Sequence, residues 1–188
     1  MRKVVLAALL AVALVAPVFA ADEGAMELDV KAGYNVMSRV DLDGWKTDIV
    51  PVFTVGADFF YYVMPELAIG AGINHAFDAG IKKAATRIGW TNFYVQAKYV
   101  FELGDDLFNN IYPLAQVGYG MLRLDPDIWK DSDGGLYWGI GAGTTIYKCV
   151  VLEILYSNAN ATVKMDWVHP GDLKYSTVQL KVGYKFTF

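Results

Sequence analysis

The last twelve residues, Thr177 to Phe188, read T-V-Q-L-K-V-G-Y-K-F-T-F and constrain the fold more than any other stretch. Val178, Leu180, Val182, Tyr184, Phe186 and Phe188 share one parity, and Thr177, Gln179, Lys181, Gly183, Lys185 and Thr187 share the other. A period of two puts these sets on opposite faces of a β-strand, one apolar and one polar. The chain then stops on an aromatic, with no polar tail behind it. A soluble sandwich has little use for such an ending.

The same alternation recurs along the chain. From Met26 to Met37, Leu28, Val30, Ala32, Tyr34 and Val36 oppose Glu27, Asp29, Lys31, Gly33 and Asn35. Further strands are expected near Val50 to Tyr62, Leu67 to Phe77, Trp90 to Leu103, Ile111 to Leu122 and Leu136 to Tyr147, and again after a two-residue turn at Lys148-Cys149. Between Asn158 and Tyr175 the pattern lapses. That makes eight strands, an even number, with short connections after the second, fourth and sixth and mostly longer ones after the others. An even count and alternating loop lengths suit a closed antiparallel barrel that leaves no edge unpaired in lipid.

Two other features place this barrel in a membrane reached by export. Met1, Arg2 and Lys3 precede an apolar run from Val4 to Ala21, the pattern of a signal peptide, with cleavage expected after Ala20 and a single barrel domain over residues 21–188. Beyond it no run approaches the roughly 18 apolar residues of a spanning helix, yet 55% of the chain is hydrophobic. Strands with one face in lipid reconcile the two. Cleavage removes two of the 16 basic residues and none of the 20 acidic ones, leaving a net charge of about −6, which argues against nucleic acid as a partner. The only cysteine, Cys149, cannot form an internal disulfide and reads as a turn residue. No peptidoglycan-binding module is expected after Phe188.

Lys181, Gly183, Phe186 and Phe188 fit, position by position, the terminal signal polar, any, Gly, any, any, aromatic, any, aromatic. On that motif and the strand pattern the mature chain resembles the small outer-membrane β-barrels of bacteria, of the OmpA-transmembrane, OmpX and OmpW kind. The resemblance implies an all-β, eight-stranded antiparallel up-and-down transmembrane barrel in the outer membrane, inserted by the barrel-assembly machinery and surrounded by lipid and lipopolysaccharide. It implies no cofactor. The implied function is a non-enzymatic structural or surface-interaction role through extracellular loops; the alternative is a narrow channel for small or apolar solutes.

Barrels of this size can be enzymes, but the motifs are missing. The His-x-Ser pair of lipid A deacylases is absent, since His75 precedes Ala76-Phe77 and His169 precedes Pro170-Gly171. Asp131-Ser132 offers only a two-residue match to the palmitoyl-transfer barrels. Asp125, Asp127, Asp131 and Asp133 lack the spacing of a calcium loop and read as turn. Asn160-Ala161-Thr162 fits a sequon without meaning in this setting. Parity draws more attention to the lumen, where Glu27, Asp29, Lys31, Asp58, Lys98, Glu102, Glu153, Lys181 and Lys185 all point inward. Charges in so narrow a space are expected to pair across it, with Glu27 and Asp29 near the level of Lys181 and Lys185. Inward glycines leave room for the inward rings Tyr62, Tyr94, Tyr137 and Tyr147, or else for a small cavity.

Overall fold

The computed structural model describes residues 23–42, 44–80, 87–104, 107–124, 131–165 and 168–188. The expected signal peptide, Asp106, Asp125 and Asp127 lie outside them, as do the side chains of Asp131, Asp133 and His169. Eleven strands run in chain order: β1 Met26–Leu42, β2 Trp45–Ile49, β3 Val52–Met64, β4 Leu67–Gly80, β5 Arg87–Tyr99, β6 Phe101–Glu102, β7 Phe108–Leu124, β8 Asp131–Asp133, β9 Gly135–Ile146, β10 Val150–Met165 and β11 Val168–Thr187. Eight of them, β1, β3, β4, β5, β7, β9, β10 and β11, pair antiparallel in a ring that closes where β11 meets both β10 and β1. At the seam Phe188 N–H donates to Met26 O at 2.9 Å and Met26 N–H to Phe188 O at 3.2 Å.

Pairing fixes the stagger. One circuit from Thr187 passes through Glu27, Phe60, Gly70, Gln96, Gln116, Gly139 and Ser157 and returns to β11 at Thr177. The step from 187 back to 177 is ten residues, which tilts the strands by about 40°. Eight strands at that tilt leave an interior that side chains can fill.

Outward residues from Leu28 to Tyr34 on β1, Phe53 to Tyr61 on β3 and Val178 to Tyr184 on β11 form an apolar band. Near the termini it is edged by the ring pairs Tyr99–Phe101 and Tyr184–Phe186, both with centroids 4.9 Å apart, and at the far end by Phe53–Phe77 at 5.9 Å and Trp138–Tyr156 at 5.7 Å. These are the two interfacial aromatic girdles of a membrane barrel.

Several local expectations are corrected. The stretch from Asn158 to Tyr175 is not a lapse in structure, because β10 and β11 pair as far as Met165 and Val168. Its alternation is present but inverted: Ala159, Ala161, Leu173 and Tyr175 are buried inside, while the polar Asn158, Asn160, Lys174 and Ser176 take the outward positions. The first connection holds β2, paired with β1 from Ser38↔Ile49 to Leu42↔Trp45, and the segment read as loop after Leu122 contributes β8, paired with β10. The β9–β10 turn sits one residue earlier than expected. Tyr147 and Lys148 occupy its centre with φ of 48° and 63°, and Cys149 N–H donates to Ile146 O at 3.2 Å. Two central residues at positive φ make the hairpin turn whose twist suits the flanking strands; without the usual Asn or Gly there, composition does not mark it.

Candidate functional site

The lumen is layered. Nearest the termini, Phe60, Tyr62, Ala68, Val100, Tyr112, Leu114, Val151 and Leu155 pack into an apolar cluster. Above its floor lie the charges. Toward the opposite end a second apolar cluster includes Val40, Ile49, Trp90, Leu173 and Tyr175, with the Trp90 and Tyr175 rings stacked 5.3 Å apart.

Of the charges expected inside, Glu27, Asp29, Lys31, Asp58, Lys98, Glu153 and Lys181 are buried and Lys185 lies at the margin, its side chain 10% exposed. Glu102 is exposed beside the terminus-proximal turn. Lys31 is the hub. Its Nζ lies 2.5 Å from Glu153 Oε1, 2.7 Å from Asp58 Oδ2 and 3.4 Å from Asp29 Oδ2. A second group forms around Glu27, which pairs with Lys98, accepts from Tyr62 Oη at 2.8 Å and has Lys185 Nζ at 3.8 Å. Lys98 Nζ also sits 4.0 Å from the Phe60 ring centre and 5.0 Å from that of Tyr112, a cation–π contact strengthened by exclusion of water. Register places Lys185 opposite Asp29, but Lys181 stands four pairs higher, opposite Gly33 and Glu153.

Phenols complete the network. Tyr94 Oη donates to Asp58 Oδ1 at 2.8 Å, Tyr112 Oη to Glu153 Oε1 at 3.0 Å, and Tyr137 Oη to Gln116 Oε1 at 2.7 Å. Tyr147 is not among the inward rings, because it sits in the turn and is 67% exposed. Tyr112 takes a place the sequence reading overlooked, although the parity that puts Gln116 inside puts Tyr112 inside too. Two glycines make room for these rings. A Cβ at Gly143 would lie 2.4 Å from the Tyr112 ring, and one at Gly72 only 1.9 Å from Asp58 Oδ1 and 2.6 Å from the Tyr94 ring.

The four residues matching the terminal signal have distinct environments. Lys181 is buried in the lumen, Phe186 packs on Tyr184, and Phe188 is exposed at the seam. Gly183 lies where a Cβ would come within 2.6 Å of Lys31 Cγ and of Val30 O, so the hub lysine passes over it. His75 is in the outer wall, its Nδ1 2.9 Å from Thr91 Oγ1 and its ring 5.1 Å from that of Phe77. Among the described residues no His, Cys, Asp or Glu group is arranged to hold a metal ion.

The family model "Outer membrane protein beta-barrel domain" matches residues 5–186. The chain therefore belongs to this family of bacterial outer-membrane barrels. Among solved structures it is similar to Neisserial surface protein A, at 14% identity over 85% of this chain and 99% of that one, with a TM-score of 0.54. It is likewise similar to Ail, the attachment invasion locus protein of Yersinia pestis, in complex with the heparin analogue sucrose octasulfate, at 20% identity over 87% and 99% of the two chains and a TM-score of 0.50. At these identities the likeness is one of fold. No curated protein matches the chain.

Proposed function

We propose that the protein is a non-enzymatic outer-membrane barrel that uses a polar extracellular sheet for surface contacts and keeps its lumen shut. The sheet carries this reading. β1 and β11 stay paired up to Leu42↔Leu173, well past Met37 and Val178, the last apolar residues among the described side chains of their outward faces. β2 extends the sheet on one side, and β10 and β8 on the other. Its outer face presents Arg39, Lys46, Asp48 and Lys174. A long, ordered, polar surface outside lipid is an investment in contact with something other than the membrane.

The closed lumen supports the same reading over a solute channel. Two apolar clusters flank charges that neutralise one another. The remaining assignments belong to this proposal: a signal peptide cut after Ala20, insertion by the barrel-assembly machinery reading Lys181, Gly183, Phe186 and Phe188, and lipopolysaccharide as the outer-leaflet neighbour. Bacteria carrying the parent are expected to adhere to matrix-coated surfaces more than bacteria whose residues 162–171 are replaced by a short turn, at equal amounts of folded, heat-modifiable protein. The purified parent is expected to show no steady conductance in planar bilayers. Equal adhesion would end the contact reading, and a steady conductance would install the channel in its place.

A further inference from the structure

The ring of strands closes where β11 meets β1, and two buried lysines mark that seam. Lys31 on β1 stands opposite Gly183 on β11, and Lys181 on β11 stands opposite Gly33 on β1. Met26 and Phe188 exchange both backbone hydrogen bonds, so the inward pairs, which alternate with pairs of that kind, are the closer, non-hydrogen-bonded ones in which facing side chains meet. Each lysine stem therefore crosses the bare glycine that faces it. A Cβ at Gly183 would come within 2.6 Å of Lys31 Cγ, and one at Gly33 within 2.9 Å of Lys181 Cγ. Lys31 has a second glycine, Gly56, opposite it on β3. Nearer the termini on the same face, Asp29 stands opposite Lys185.

A slip of one residue would turn every side chain of β11 to the other face, whereas a slip of two keeps each on its own face and so competes with the native closure. We infer that the crossed pairs Lys31–Gly183 and Lys181–Gly33 select the register in which the barrel closes, seating each lysine on a glycine and setting lysine against lysine in both two-residue slips. Slipped one way, Lys31 meets Lys181. Slipped the other way, it meets Lys185, the two glycines Gly33 and Gly183 face each other, and Asp29 exchanges Lys185 for Thr187. Like charges directly opposite destabilise a strand pair, and burial leaves their repulsion poorly screened. The native register avoids both lysine contacts and keeps the attraction between Asp29 and Lys185. Asp29 and Asp58 do face one another across β1 and β3, but with a counter-ion between them, since Lys31 Nζ lies 3.4 Å and 2.7 Å from their oxygens. Closure by this rule is independent of the surface role proposed above.

Disulfide capture in the full chain, carrying Cys149→Ser and refolded into lipid vesicles, reads the register. Ala32→Cys with Val182→Cys reports the native pairing. Ala32→Cys with Leu180→Cys reports the slip that joins Lys31 to Lys181, and Ala32→Cys with Tyr184→Cys the opposite slip. Directly facing residues fall within the Cα separation a disulfide allows, about 4.4–6.8 Å, and diagonal ones at about 7–8 Å fall outside it. In the heat-modifiable, folded fraction of the parent the native pair alone is expected to cross-link. Lys181→Met is expected to raise the product between positions 32 and 180 roughly fivefold, the scale of one cross-strand charge contact, and Lys181→Arg to leave it at the parent level. Lys185→Met, at the lumen margin, is expected to raise the product between positions 32 and 184 in the same way, and it decides the outcome should Lys181→Met not fold. A native register held in every folded Met variant, or slipped product as abundant in Lys181→Arg as in Lys181→Met, would overturn the assignment.

Discussion

Two stretches of the same strands obey opposite rules. On β11, residues 178–184 send Val178, Leu180, Val182 and Tyr184 outward and keep Gln179 and Lys181 inside; a few residues earlier, Lys174 and Ser176 face out and Leu173 and Tyr175 face in. β10 switches the same way, from Ile154 and Tyr156 outside to Ala159 and Ala161 inside. The backbone ladder continues through the switch, so hydrogen bonding does not cause it. The surroundings do. In lipid the outer face must be apolar, and the barrel can keep polar groups only in its lumen; beyond lipid the outer face meets water, and the apolar residues move in to form a roof. The strand fixes geometry, and the solvent on each side decides which parity is hydrophobic.

The largest expected effect comes from breaking the polar interior of the membrane-level stretch. Lys31→Met leaves Asp29, Asp58 and Glu153 without the cation they share. Removing one partner of a buried ion pair costs about 3–5 kcal/mol, and urea unfolding of the refolded barrel is expected to show a loss of that order. A midpoint equal to the parent's would mean that water, not Lys31, balances these carboxylates.

The charged layer also shows how far the sequence could be read. Parity alone sends these charges inward, because a period of two survives any register. It could not rank Lys31 above Lys181. Which charges meet across a lumen depends on the ten-residue stagger, which brings Glu153 on β10 and Asp58 on β3 to the same ammonium although they stand far apart in the chain. Glu102 failed for a different reason. Val100 and Phe101 still obey the parity of Tyr94, Gln96 and Lys98, but β5 ends at Tyr99, and Glu102 in the short β6 is exposed beside the turn, past the packed lumen. The stretch from Asn158 to Tyr175 went unread because the pattern sought was apolar outside, and here that pattern is reversed. Tyr147 and Lys148 hid the turn because neither residue favours positive φ.

The next effect tests the outer face directly. Ile140 stands outward on β9, 57% exposed, with Trp138 beyond it toward the far girdle. Ile140→Lys is expected to cost roughly 2–4 kcal/mol in lipid vesicles, the range for a lysine near the bilayer midplane. Lys174 occupies an outward position on β11 already, so Lys174→Ile is expected to leave the midpoint unchanged. Equal midpoints for Ile140→Lys and the parent would move the lipid boundary and undo the comparison between the two stretches.

The smallest effect belongs to the charges outside the membrane, and it is informative because it is small. Arg39 Nε and Asp48 Oδ1 lie 3.4 Å apart on β1 and β2, with side chains 65% and 56% exposed. Water and salt screen such a pair, and holding two long side chains together costs entropy, so exposed pairs contribute about 0–1 kcal/mol. The apolar underside of β2, where Ile49 packs with Val40 in the roof, should therefore hold the hairpin down without help from the pair. Arg39→Ala is expected to leave the urea midpoint within experimental scatter of the parent, at low and high salt alike. A loss comparable to that of Lys31→Met would mean that the stretch beyond Met37 and Val178, like the lumen, depends on charge, and the division between the two regions would not stand.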